Sequence, residues 1–225
     1  MKLSRAEKQA LFLSVKTSSA VEGSGTPKTT DDLVRYWTKR VVAQKDAQCR
    51  SSGGAQARIV AAALGSGYNL LPSAHPPGDS VPDQKIESPN EKDIENIAMG
   101  VVHAGQVIEQ ALGEDLDGSL KDLSLIQRVL DQGVVEPEAT YTLQALGLAF
   151  GRAFLNEFPD YDWWMVEDEH GRDPAIRYKE TSLLVFPMTM ISKRVEDGEP
   201  FDVGELFDGL AKQLDELIEE GVGDT

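Results

Sequence analysis

Residues 161–186 read YDWWMVEDEHGRDPAIRYKETSLLVF, and the period of that stretch decides the fold. Through YDWWMVED apolar and polar side chains alternate, the two-residue period of a β-strand. EHGRD follows with Gly171 in the turn, and PAIRYKE alternates again, so the spacing predicts a β-hairpin. TSLLVF is apolar on both faces and is expected to be the most buried strand.

Upstream the period is helical. Ser88 as N-cap, Pro89 at the first helical position and Glu91 three residues after the cap mark a helix start. Ile94, Ile97, Ala98, Val101, Gly105, Ile108 and Leu112 then follow three-four spacing until Gly113 closes the helix. A second helix, 119–132, is expected to turn Leu120, Leu123, Ile126 or Leu125, and Leu130 inward and to stop at Gly133. A third runs from Pro137 towards Phe158 and buries Leu143, Leu146, Phe150 and Phe154. Gly147 and Gly151 lie one turn apart on it, which points to close packing by another element. Downstream, Pro187 opens a short helix through Met188, Ile191 and Val195 that ends at Gly198. Asp202 and Glu205 cap a last helix with Leu206, Leu210, Leu214 and Leu217 in one stripe. The expected class is α+β: helices, then a small antiparallel sheet of about three strands, then a C-terminal helix.

The charge changes sign near Pro82. Residues 1–82 hold 11 Lys/Arg against 6 Asp/Glu, net +5, while 83–225 hold 11 against 32, net −21. The expected organisation is therefore an acidic α+β domain at 83–222 behind a basic, poorly ordered N-terminal extension at 1–82. That extension carries short helices: a capping box at Ser4 and Glu7, a stretch with Leu33, Trp37 and Val41 at spacing four, and an Ala-rich segment at 55–64. LPSAHPPGDSVPD, 71–83, is a Pro-rich linker that cannot continue a helix. With 40% hydrophobic and 27% charged residues the whole chain is not of disordered composition. No apolar run approaches the roughly 18 residues that span a bilayer, and the uncharged stretch 10–15 before Lys16 is too short for a signal peptide. A lone Cys49 fits a reducing cytoplasm. A domain this acidic repels nucleic-acid phosphates and favours a basic protein partner.

Glu167, Asp168, Glu169, His170 and Asp173 form the one group of potential metal ligands in the sequence. On a strand Glu167 and Glu169 share one face while Asp168 and His170 share the other, so these positions read first as solvated charges at a hairpin tip. Catalytic patterns are missing: no G-x-S-x-G, no P-loop, no dinucleotide fingerprint, and the remaining histidines are His75 in the linker and His103 on a helix. No cofactor is expected. Trp163 and Trp164 are adjacent on a strand, so their rings point to opposite faces. One belongs to the core, and the other is a candidate binding surface unless helices cover both faces.

LQALGLAFGRAF, DWWMVEDEHGRDPAI and VFPMTMISKRVEDGEPFDVGELF together resemble the bacterial family known as domain of unknown function 3806, over about residues 143–217. The resemblance implies a bacterial source and a compact α+β module, and it brings no activity to any position. The expected function is a non-catalytic macromolecular interaction module, an adaptor or an immunity-type inhibitor, whose surface is Trp163, Trp164, Glu167, Asp168, Glu169, His170 and Asp173. The alternative is a metal-dependent hydrolase using Asp168 and His170, with Asp173 contributed from beyond the turn.

Overall fold

A computed structural model describes residues 29–48, 84–168 and 171–221. Among them are six helices and four strands: α1 (Thr30–Gln48), β1 (Lys85–Glu87), α2 (Glu91–Leu112), α3 (Lys121–Asp131), α4 (Thr140–Glu157), β2 (Tyr161–Asp168), β3 (Gly171–Tyr178), β4 (Leu184–Val185), α5 (Pro187–Glu196) and α6 (Val203–Glu219). The class is α+β, as the two periods predict. The expected helices at 4–15 and 55–64 lie outside the described residues, whereas the Leu33/Trp37 stretch is α1.

The sheet is an antiparallel meander in the order β1-β2-β3-β4. It has four strands rather than three. The addition is β1, whose KIE pairs Lys85 with Glu167, Ile86 with Val166 and Glu87 with Met165. Three residues with one apolar side chain carry no readable period, and their pairing partner lies far along the chain. The hairpin register places Trp163 opposite Ile176 and Glu167 opposite Arg172.

Helix α4 organises the core. From Ala145 to Leu155 every residue is buried, the signature of a helix enclosed on all sides. Its two glycines explain themselves. A Cβ on Gly147 would collide with the Pro187 carbonyl oxygen and come within 2.7 Å of Met188 Cα; one on Gly151 would sit 2.7 Å from Trp163 Cη2 and 2.9 Å from Pro187 Cγ. Small residues at these two positions let the start of α5 and the first Trp pack against the α4 backbone.

The start of α2 differs from the sequence reading. Asn90, not Ser88, is the N-cap, and it forms a reciprocal capping box with Asp93. Asn90 Oδ1 accepts from the Asp93 N–H at 3.0 Å, and Asp93 Oδ2 accepts from the Asn90 N–H at 2.9 Å. Any Asx residue followed three positions later by an acid can make this box, so SPNEKD, 88–93, held two competing starts. In α3 the helix begins one residue after Leu120, leaving that side chain 44% exposed. Val129 joins Leu123, Leu125 and Ile126 in the buried stripe instead.

Helix α1 packs onto the same core. Leu33 and Trp37 are buried in it, each worth about 1.5–3 kcal/mol of burial. The Trp37 ring meets Trp163 edge-on, centroids 6.2 Å apart. Arg40 donates to Asp162 Oδ1 at 2.8 Å and to the Tyr161 carbonyl at 2.9 Å.

Candidate functional site

The two tryptophans do point to opposite faces, but both are buried, at 4% exposure each. Trp163 lies against Gly151 of α4 and Trp37 of α1. Trp164 shares the other face with Val166, Ala175 and Leu184, which form a second small apolar cluster with Ile86 and Phe186 packed on it. The Arg177 guanidinium lies over the Trp164 ring, 4.4 Å from its centroid. Two hydrogen bonds fix that guanidinium, to the Thr181 and Glu180 carbonyls at 2.5 and 2.7 Å. Neither tryptophan offers a ring to solvent, because both sheet faces are covered, and the expected Trp surface is corrected accordingly.

The hairpin carboxylates separate by face. Glu167 sits on the Met165 face and bonds Arg172 at 3.2 Å. Asp173 lies on the Val166 face, and its carboxyl is pushed up, first by burial and then by the charge of Asp168. Glu169 and His170 lie outside the described residues. Among the described residues no group of three or more His, Cys, Asp or Glu could hold a metal ion.

What the structure assembles instead is an ionic knot at the mouth of a cleft. Arg172 reaches Asp93 at 2.8 Å, Glu87 at 2.9 Å and Glu167 at 3.2 Å. Lys85 joins through Glu87 at 2.8 Å. Burial works against the Asp93 carboxylate, but the hydrogen bonds from Arg172 and the Asn90 N–H outweigh it and hold its pKa below the usual range. Donating to Asp93 above all, and then to Glu87, keeps Arg172 firmly protonated.

Behind this knot a cleft of about 220 Å³ opens between α2, the first turns of α4, the hairpin and α5. Ile97, Ala145, Leu148, Met165 and Met188 supply its apolar lining, and Asn96, Gln144 and Tyr141 its neutral polar groups. Gly100 lets Leu148 pack directly on the α2 backbone, since a Cβ there would run into Leu148 Cδ1. Tyr141 is 62% exposed, and its ring leans on His103, which shares a 3.1 Å hydrogen bond with Thr142 Oγ1. Thus His103 is a packed helix residue, as its position on α2 suggested.

The lining combines apolar side chains with amides, two carboxylates, a phenol and a guanidinium. It contains no Ser, Thr, Cys or His, so the nucleophile–base pairing of acyl transfer has no components there. Of its two carboxylates, Asp93 has both oxygens taken up by Arg172 and Asn90. Asp173 remains at the mouth with no hydrogen bond or ion pair to another described residue.

Sequence reading missed Asp93, Arg172 and the cleft. The available signals were an acid at the third position of a helix and a cation at the tip of an acidic hairpin. Their meeting depends on how α2 lies against the sheet, which no local pattern encodes.

Residues 122–207 match the model of the family described as Domain of unknown function (DUF3806). The match begins earlier and ends earlier than the 143–217 resemblance, taking in α3 and stopping in the first turn of α6. The cleft straddles the edge of the DUF3806 region. Tyr141, Gln144, Leu148, Met165, Arg172, Asp173 and Met188 lie within it, while Asp93, Asn96, Ile97 and Gly100 come from α2 outside it. A crystal structure of a protein from Bacteroides thetaiotaomicron VPI-5482 has the same fold with a TM-score of 0.55 and 22% identity. The similarity covers 62% of this chain and 51% of that one. No curated protein matches the chain.

Proposed function

We propose that the chain is a non-catalytic interaction module whose cleft takes an apolar side chain of a basic protein partner. The supporting observation is the pairing of a methionine-lined cleft with an acidic mouth. Around the opening stand Asp93, Asp173, Glu87 and Glu167 against Arg172 and Lys85. Methionine linings re-pack around varied side chains, and Asp173, which has no ion pair among the described residues, would meet a flanking cation. The −21 balance of residues 83–225 would steer such a partner towards the surface and make association fall with salt. Adaptor and immunity-type inhibitor are the roles that fit. A bacterial, cytoplasmic setting belongs to the same proposal and rests on the family resemblance and the lone Cys49. Among the described residues no helix is long and apolar enough to cross a membrane.

The test is a random peptide library displayed against the full chain at low salt. Enriched peptides should carry Lys or Arg beside an apolar residue. Their binding should drop about tenfold or more when Gln144→Trp fills the cleft and when Asp173→Lys reverses the charge at its mouth. Absence of enrichment, or binding that survives both substitutions, overturns the reading.

A further inference from the structure

We propose that α1 occupies a helix-binding groove that the α1 of a second copy can also fill, so that copies of this chain exchange α1. This rests on a different surface from the cleft. Pro89, Ile94 and Ile97 at the start of α2, with Asp162 and Trp163 of β2, receive Trp37 and Arg40.

The seam is narrow. Leu33 and Trp37, one helical turn apart, are the buried residues of α1 between 31 and 40, while Asp31, Asp32, Arg35, Tyr36, Thr38 and Lys39 face solvent. Such i, i+4 anchoring is the pattern of a helix laid in a groove. Charge supports the fit: Arg40 pairs with Asp162 at 2.7 Å, and the helix approaches a segment of net charge −21. Every contact named here joins α1 to residues beyond 84, with residues 49–84 intervening, and the family match leaves α1 out. By composition the connecting stretch, with SSGG, GSG and LPSAHPPGDSVPD, is that of a linker, which sets an effective concentration for α1 at the groove. A groove filled through a long tether can be filled by an identical helix from another copy once concentration competes, which is the logic of domain swapping.

The test uses the full chain carrying both Leu33→Asp and Trp37→Ala, with a fluorescein-labelled peptide of residues 29–48 as the probe. The peptide should bind this variant about tenfold or more tighter than the wild-type chain, whose groove is filled in cis, and a Trp37→Ala peptide should lose that binding. Equal binding to variant and wild type, or none to either, overturns the proposal. Loss of the variant's cooperative thermal transition overturns it too, because α1 would then be inseparable from the core. Arg40→Glu keeps both apolar anchors and should also raise peptide binding over wild type; unchanged binding counts against the proposal. Sedimentation of the wild-type chain should show dimers growing with concentration, and one constant mass would exclude exchange between copies.

Discussion

Asp93 at the third position of α2 accepts a forked pair of hydrogen bonds from Arg172 near the hairpin tip, Nη2 to Oδ2 at 2.8 Å and Nε to Oδ1 at 3.3 Å. The same carboxylate closes the capping box of its own helix. One side chain thus fixes where α2 starts and how its N-terminus is held against the sheet, and that junction forms one end of the cleft. Removing the cation with Arg172→Ala leaves Asp93, 8% exposed, as a charge without its partner. The expected loss is about 1–3 kcal/mol, measured by urea unfolding at neutral pH. Lysine cannot supply the fork, so Arg172→Lys should recover only part of it.

The pH dependence of that variant follows from the depressed Asp93 carboxyl. A carboxyl whose folded pKa lies below its unfolded value, about 3.9, adds stability that is fully present above the unfolded value and vanishes as pH falls through the folded one. Arg172→Ala removes most of this contribution. The stability gap between wild type and variant should therefore be widest near neutrality and close in acid. A gap that stays constant into strong acid would show that Arg172 acts through packing alone.

Gly147 and Gly151 touch α5 and Trp163, whereas Gly105 on α2 faces open space, with its nearest side-chain neighbour, Leu116 Cδ1, 4.0 Å from a built Cβ. Alanine should therefore act with opposite sign at these positions. Gly147→Ala and Gly151→Ala force the α5 start away and should cost about 1–3 kcal/mol each. Gly105→Ala relieves helix entropy and should add about 0.4–1 kcal/mol. Thermal unfolding of the three variants decides it, and equal destabilisation at all three would remove the packing explanation.

How much of this was legible follows from the range of each determinant. The period switch at 161, the glycine stop at 113 and the Asp202 cap are local chemistry, so the sequence contained them in full. Gly147 and Gly151 announced a close neighbour without naming it. Strand β1 and the Arg172 knot were not readable, because a three-residue strand and one arginine gain meaning only from partners far along the chain. Trp164 shows the converse. Alternation assigned its face correctly, but its cover includes an arginine from the next strand.

Asp122 and Arg152 bring charge into the interior, at 0% and 4% exposure. Asp122 accepts the N–H groups of Asp117 and Gly118 at 3.1 and 2.7 Å, and Asn156 from α4 donates to the Gly118 carbonyl at 2.9 Å. The network fastens the loop between α2 and α3 onto the central helix. Burial pushes the Asp122 carboxyl up, as does the neighbouring Asp117 charge, against the two N–H bonds and Arg152. Asp122→Ala would strand both N–H groups and leave the Arg152 charge under-compensated, a loss of about 3 kcal/mol. A urea midpoint that hardly moves would contradict this. Because the folded pKa is raised, the ionised wild-type group subtracts stability as pH rises from the unfolded value through the folded one, so the variant's deficit should be larger on the acid side of that window.

Arg177 covers Trp164 from the side opposite the main core, and burial lowers its pKa while Glu180 opposes. Its guanidinium is fixed by two carbonyls of the β3–β4 turn, so the cover is preformed and removing it leaves no clashing side chain. Arg177→Ala should expose one face of an indole that is now 4% exposed, with the cation–π contribution of about 0.5–2 kcal/mol lost. The readout is optical and site-specific. Tryptophan emission should shift to longer wavelength and become quenchable by acrylamide, while the same substitution in a Trp164→Phe background should change emission little. If emission shifts equally in that background, Trp163 or Trp37 is responding instead, and the second face of the sheet is held closed by something other than Arg177.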